Sequence, residues 1–126
     1  MHLQESAEMY LETIYILSKE SVGVRSIDVA QQLGYSRASV SRAVNLLKKD
    51  GYLAMDEDAF LSLTDKGKAV AEKIYERHTV LRGALMALGV DEVSATEDAC
   101  RIEHVISDKT FEALKAHLSQ YEGGTV

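Results

Sequence analysis

The stretch Val24–Leu53, VRSIDVAQQLGYSRASVSRAVNLLKKDGYL, decides the fold. Its apolar residues recur at helical spacing in two short blocks. Ser26 offers an N-cap for the first, a short helix of Ile27, Val29, Ala30 and Leu33. Gly34 supplies the left-handed residue that ends such a helix. Ser36 then caps a second helix whose inner side is Val40, Val44 and Leu47, closed by Asp50-Gly51. Two helices joined through a glycine-containing tight turn describe a helix-turn-helix. Residues 52–55 and 60–63 alternate apolar and polar around the acidic Asp56-Glu57-Asp58, as a short hairpin or wing does.

Outward from this stretch the chain reads as helix. In residues 6–19, Tyr10, Ile14 and Leu17 form one stripe, while Met9, Glu12 and Ile16 form a second on another face. Thr64-Asp65-Lys66-Gly67 opens a long helix to about Leu88, with inner positions Val70, Ile74, His78, Leu81, Leu85 and Leu88, and Gly89 stops it. Two further helices are expected, over roughly 93–107 and 109–121. In the former, Ala99, Ile102, Val105 and Ile106 form the packing side, and Cys100, Glu103 and His104 lie opposite.

At 126 residues the chain has room for one or two small domains. It contains a single cysteine, consistent with a reducing compartment, so a cytoplasmic location is expected. No apolar run suggests a membrane span, and no membrane partner is expected. The net charge of −6 argues against nucleic-acid binding by the protein as a whole. Between Arg25 and Lys49, however, the bases Arg25, Arg37, Arg42, Lys48 and Lys49 face one acid, Asp28. Ser36, Arg37, Ser39, Ser41, Arg42 and Lys48 are the outward positions that could reach phosphates or base edges, and Ala38 lets the backbone approach the groove. A solvated amphipathic helix, or a protein-binding helix-turn-helix, would carry similar charges. The acidic wing is expected to stay off the DNA backbone.

Thiolate, carboxylate and imidazole are all ligand types for first-row transition metals, so Cys100, Glu103 and His104 form a candidate metal set. Met9 and Glu12 offer a thioether and a carboxylate, and His78 interrupts an apolar stripe. Cys100 as a small buried hydrophobe and His78 as a core histidine remain the bland alternatives. A catalytic Cys100–His104 pair lacks any glycine-rich or oxyanion-type loop, so the chain is not read as an enzyme.

The segments EMYLETIY, DVAQQLGYSRASVSRAVNLLKKDGYL, LTDKGK, YERH and DACRIEHVISD together resemble the diphtheria toxin repressor family, which includes iron-dependent and manganese-dependent repressors. The resemblance covers nearly the whole chain. It implies a mainly α fold: an N-terminal winged helix-turn-helix over 1–72, followed by an all-helical metal-binding and dimerisation domain over 73–126. It further implies a homodimeric repressor that binds palindromic operators in double-stranded DNA and controls metal homeostasis genes. Met9, Cys100, Glu103 and His104 match the primary metal site of iron-type members, His78 a histidine ligand of both branches, and Glu12 a glutamate of the manganese type. Ser36, Ala38, Ser39 and Arg42 fall where the family contacts DNA. Arg82 stands where iron-type members have a glutamate, and Thr96 where they have a histidine. The soft donors Met9 and Cys100 favour iron(II), Fe2+, with manganese(II), Mn2+, as the alternative cofactor. A winged-helix regulator sensing a small organic ligand is the other reading.

Overall fold

The computed structural model describes residues 5–125, with side chains described through Ser119. The elements run α1 (Glu5–Glu20), α2 (Ser26–Leu33), α3 (Arg37–Lys49), β1 (Leu53–Met55), β2 (Leu61–Leu63), α4 (Asp65–Ala87), α5 (Glu92–Ile102) and α6 (Asp108–Thr125). The chain divides into two compact units, Met1–Lys73 and Ile74–Val126, and α4 contributes residues to both. Of the described helices, none is long and apolar enough to cross a membrane.

In the first unit α1, α2 and α3 meet around one core. Leu11, Ile14, Val29, Val40 and Val44 are buried there, with Tyr52, Leu53 and Leu61 from the hairpin and Ala71 from α4. Gly34 adopts φ 72°, the left-handed geometry the tight turn requires, and its N–H bonds the Ala30 carbonyl. Ser36 is the N-cap of α3: its hydroxyl accepts from the Ser39 N–H at 3.1 Å. Ser26 is not a cap. It is the first residue of α2, and Arg25 is the N-cap, with the Asp28 carboxylate accepting the Arg25 N–H at 2.8 Å. The acid three residues on supplies the reciprocal half of a capping box, accepting the N–H of the N-cap residue itself.

The hairpin is antiparallel, with Leu53 opposite Leu63 and Met55 opposite Leu61. The Asp56 carboxylate accepts from the N–H groups of Asp58 and Phe60, both at 2.9 Å, so one of the wing acids shapes its turn. Leu61 N–H donates to the Val24 carbonyl at 2.7 Å, which fastens the wing to the segment entering α2. Arg25 lies over the Phe60 ring at 4.3 Å.

In the second unit Ile74 and Leu81 of α4, Ala95 and Ala99 of α5 and Phe111 of α6 are buried. Lys115 of α6 donates to Glu76 of α4 at 2.8 Å, and this carboxylate raises the Lys115 pKa. Asp91 caps α5 by accepting from the Ser94 N–H at 2.9 Å, a bond that holds its carboxyl below the usual carboxylate range.

Two helix limits differ from the sequence reading. Helix α5 ends at Ile102 rather than near Ser107, and Ser107 instead caps α6, its hydroxyl accepting from the Thr110 N–H at 3.1 Å. Helix α6 also runs farther than expected, to Thr125. Val105 and Leu88, read as inner positions, are 67% and 80% exposed, because each lies beyond the end of the helix whose stripe it would continue.

Candidate metal centre and DNA-reading surface

The candidate metal centre is built around Glu103. Asp91 starts α5, and eleven residues later the helix stops with Glu103 as its C-cap. The stop is imposed from α4. The buried guanidinium of Arg77 donates to the Glu103 carbonyl at 3.1 Å and the Ile106 carbonyl at 2.7 Å, and pairs with the Asp108 carboxylate. Carbonyls at a helix C-terminus have no partner within their helix, and a cation there satisfies them and complements the dipole.

One residue along α4, His78 reaches the side chain of the same glutamate. Its Nδ1 lies 2.9 Å from Glu103 Oε2 and 3.8 Å from Cys100 Sγ. His104 Nε2 lies 3.3 Å from Glu103 Oε1, so each carboxylate oxygen has an imidazole neighbour. The Glu103 side chain is 1% exposed. Burying a carboxylate is unfavourable unless hydrogen-bonded or charged partners stabilise it. The sequence reading set Glu103 on the face away from packing. Glu103 keeps helical geometry, with its N–H on the Ala99 carbonyl, and is buried on the side of Ala95 and Ala99, more deeply than Ile102.

These side chains fit a metal ion. One ligand atom each from His78, Cys100 and Glu103 lie within 4.8 Å of one another. Bonds to first-row metals measure roughly 2.0–2.3 Å, so two ligands on one ion stand at most ~4.6 Å apart. The separations of 2.9 and 3.8 Å are within that span. Both bland readings weaken: Cys100 is exposed, and His78 faces a carboxylate and a thiol.

In the first unit, Met9 is half-buried and Glu12 buried on α1. The Tyr35 hydroxyl donates to Met9 Sδ at 3.8 Å, and the Tyr35 ring meets Tyr10 edge-on at 6.1 Å. Burial raises the Tyr10 pKa, the neighbouring Tyr35 adds to the rise, and Arg42 opposes it. Arg82 and Thr96, the two departures from the iron-type pattern, bond each other: Arg82 Nε donates to Thr96 Oγ1 at 2.9 Å and its Nη2 to Glu92 at 2.7 Å. A fixed guanidinium thus joins α4 to the first turns of α5.

The DNA-reading candidates lie along α2 and α3. Arg25, Ser36, Arg37, Ala38, Ser41, Arg42 and Lys48 are exposed, and Ser39 is half-buried with its hydroxyl 3.0 Å from that of Ser36. Lys48 and Lys49 occupy the last turn of α3, where cations complement the helix dipole. Sequence reasoning missed Arg77 and Tyr35. Arg77 had a usable signal: it stands three residues after Ile74 and four before Leu81, in the middle of an apolar stripe, where only a paired cation is tolerated. Tyr35 had none, since its partner is remote in sequence.

Residues 2–59 match the N-terminal DNA-binding domain of iron-dependent repressors, and residues 64–122 match the metal-binding and dimerisation domain of the same family. An uncharacterized HTH-type transcriptional regulator of Methanocaldococcus jannaschii is 32% identical over 122 residues, 95% of this chain and 98% of that protein. Among solved structures, the manganese regulator SloR is 29% identical with a TM-score of 0.81, over 94% of this chain and 55% of SloR. A manganese-dependent transcriptional repressor in complex with manganese is 27% identical with a TM-score of 0.82, over 90% of this chain and 52% of that one. This chain therefore corresponds to about half the length of those two solved proteins. With both domain models matched in order along one sequence, the chain belongs to the iron-dependent repressor family of metal-dependent, DNA-binding transcriptional regulators.

Proposed function

We propose that this protein is an iron(II)-activated transcriptional repressor that binds a palindromic operator as a homodimer. The observation that carries the reading is the convergence of His78, Cys100 and Glu103 donor atoms within 4.8 Å. Among them, the Cys100 thiolate is the softest, and Met9 adds a thioether if it serves the same ion; both suit iron(II) better than manganese(II). Glu12 and His104 are assigned to metal binding on donor type and family resemblance. Bound there, the cation would supply a positive charge and directional bonds that a proton cannot.

The chain's own residues do the rest. Metal ligands bind in their deprotonated forms, so metal binding and activation are expected to weaken as pH falls. Metal binding would favour the dimer arrangement that fits the operator. In a homodimer this holds the two copies of α3 about one DNA turn apart, ~34 Å or a multiple. A differential affinity of about 1–3 kcal/mol is enough to couple the two events. Ser36, Ala38, Ser39 and Ser41 would then lie against the backbone and groove floor, with Arg42 at a guanine and Arg25, Arg37 and Lys48 at phosphates.

Manganese(II) is the second reading. Glu12 favours it, as do the descriptions of SloR as a manganese regulator and of the other neighbour as manganese-dependent. Anaerobic operator binding, titrated separately with the two ions for wild type and Met9→Asp, tests both. Iron(II) should activate the wild type at lower concentration, and Met9→Asp should move the preference towards manganese(II). Equal operator binding with chelator present would remove the sensor reading. An unchanged preference in Met9→Asp would remove the argument for iron.

A further inference from the structure

One contact in the first unit ties a candidate metal ligand to the DNA-reading element itself. Tyr35 lies in the turn between left-handed Gly34 and Ser36, the N-cap of α3. Its N–H is bonded to the Ala30 carbonyl at 3.1 Å, so the backbone is held and only the side chain is free to turn. The ring rests edge-on against Tyr10, the neighbour of Met9 on α1, with 72° between planes. Its hydroxyl donates to Met9 Sδ at 3.8 Å, and the residue is 43% exposed.

A thioether sulfur is a weak acceptor, whereas a phosphate oxygen forms a charge-assisted bond. Electron donation from Met9 to a cation makes its sulfur a poorer acceptor still. Tyrosine hydroxyls are regular partners of DNA phosphates, and the N-terminal end of a recognition helix is where base edges and backbone come close. We propose that Tyr35 is a metal-sensitive positioning residue: its hydroxyl is held on the Met9 sulfur in the metal-free protein and passes to an operator phosphate once Met9 serves as a ligand. The inference rests on the reading of Met9 as a metal ligand. It adds a route from metal to DNA that lies wholly within one winged helix and works independently of dimer spacing.

The test compares wild type, Tyr35→Phe and Met9→Leu as full chains. The first readout is anaerobic iron(II) affinity of the free protein, by competition with a chelating dye. The second is affinity for a duplex selected from random sequence by the metal-loaded wild type, measured with saturating iron(II) and again with chelator. Tyr35→Phe has no hydrogen bond to surrender on metal binding, so its iron(II) affinity should rise about 2- to 5-fold. Its metal-loaded affinity for the duplex should fall about 3- to 10-fold, for the lost phosphate bond. Binding with chelator should not change. Opposite signs in the two readouts distinguish a relay from a merely structural role, which would weaken both. Two unchanged affinities, or two that fall together, would overturn the relay while a weakened Met9→Leu keeps Met9 as ligand. If Met9→Leu binds iron(II) like wild type, the ligand assignment fails and the relay fails with it.

Discussion

Replacing Arg77 with methionine should lower stability by about 2–3 kcal/mol, and the structure says where that figure originates. Arg77 donates to the carbonyls of Glu103 and Ile106 at 3.1 and 2.7 Å, and hydrogen bonds to charged groups contribute about 1.5–3 kcal/mol each. Taking the lower end for both gives ~3 kcal/mol. Asp108 is 68% exposed, so its ion pair with Arg77 adds at most ~0.5 kcal/mol. The Phe111 ring, 5.5 Å from the guanidinium carbon, adds a similar ~0.5 kcal/mol. Against these, a less polar side chain avoids guanidinium desolvation, and Arg77 Nε is buried without a hydrogen-bond partner among the described residues; together these return about 1–2 kcal/mol. For a chain of this length the net loss lowers Tm by about 10 °C. Thermal and urea unfolding followed by far-ultraviolet circular dichroism would show it, with the urea m value unchanged. Arg77→Lys, a point charge that cannot span both carbonyls, should lose a smaller part. A Tm for Arg77→Met within about 2 °C of wild type would refute the idea that this side chain terminates α5.

Other outcomes follow from single contacts. Gly67→Ala should cost about 1–3 kcal/mol or prevent folding, since a Cβ there overlaps the Tyr52 carbonyl oxygen; a Tm equal to wild type would contradict this packing. Arg42→Ala should weaken operator binding by about 1–3 kcal/mol and relax preference at one base pair, whereas Lys48→Ala should weaken all sequences alike and reduce the salt slope by about one; binding-site selection and salt titration separate the two. The Asp91 carboxyl is held below its ordinary value of ~3.9, so its contribution is present above that pH and is lost as pH falls through the native pKa. An NMR titration should therefore place its midpoint below 3.9, and a midpoint at or above that value would discount the cap.

What was legible in the sequence was local. The pairing of Gly34 with a left-handed turn, of Ser36 with the Ser39 N–H, and of Val40, Val44 and Leu47 with the core depends on residues a few positions apart. Backbone preference and helical period act over that range, so the winged helix-turn-helix and the candidate ligand types could be read directly. The Ser107–Thr110 cap was equally local, yet the apolar run through Val105 and Ile106 masked it.

The geometry of the candidate metal centre belongs to tertiary structure. Periodicity alone extends α5 through Ile106 and leaves Glu103 facing away from the packing side. Glu103 is instead buried one turn after Ala99, where Arg77, twenty-six residues earlier in the chain, takes its carbonyl and His78 meets its carboxylate. Tyr35 meets Met9 across the same sequence separation. Propensity carries no information at that distance: a buried cation or a reaching hydroxyl chooses its partner only after the packed elements bring the two together, and the energy of that choice overrides the local preference to continue a helix.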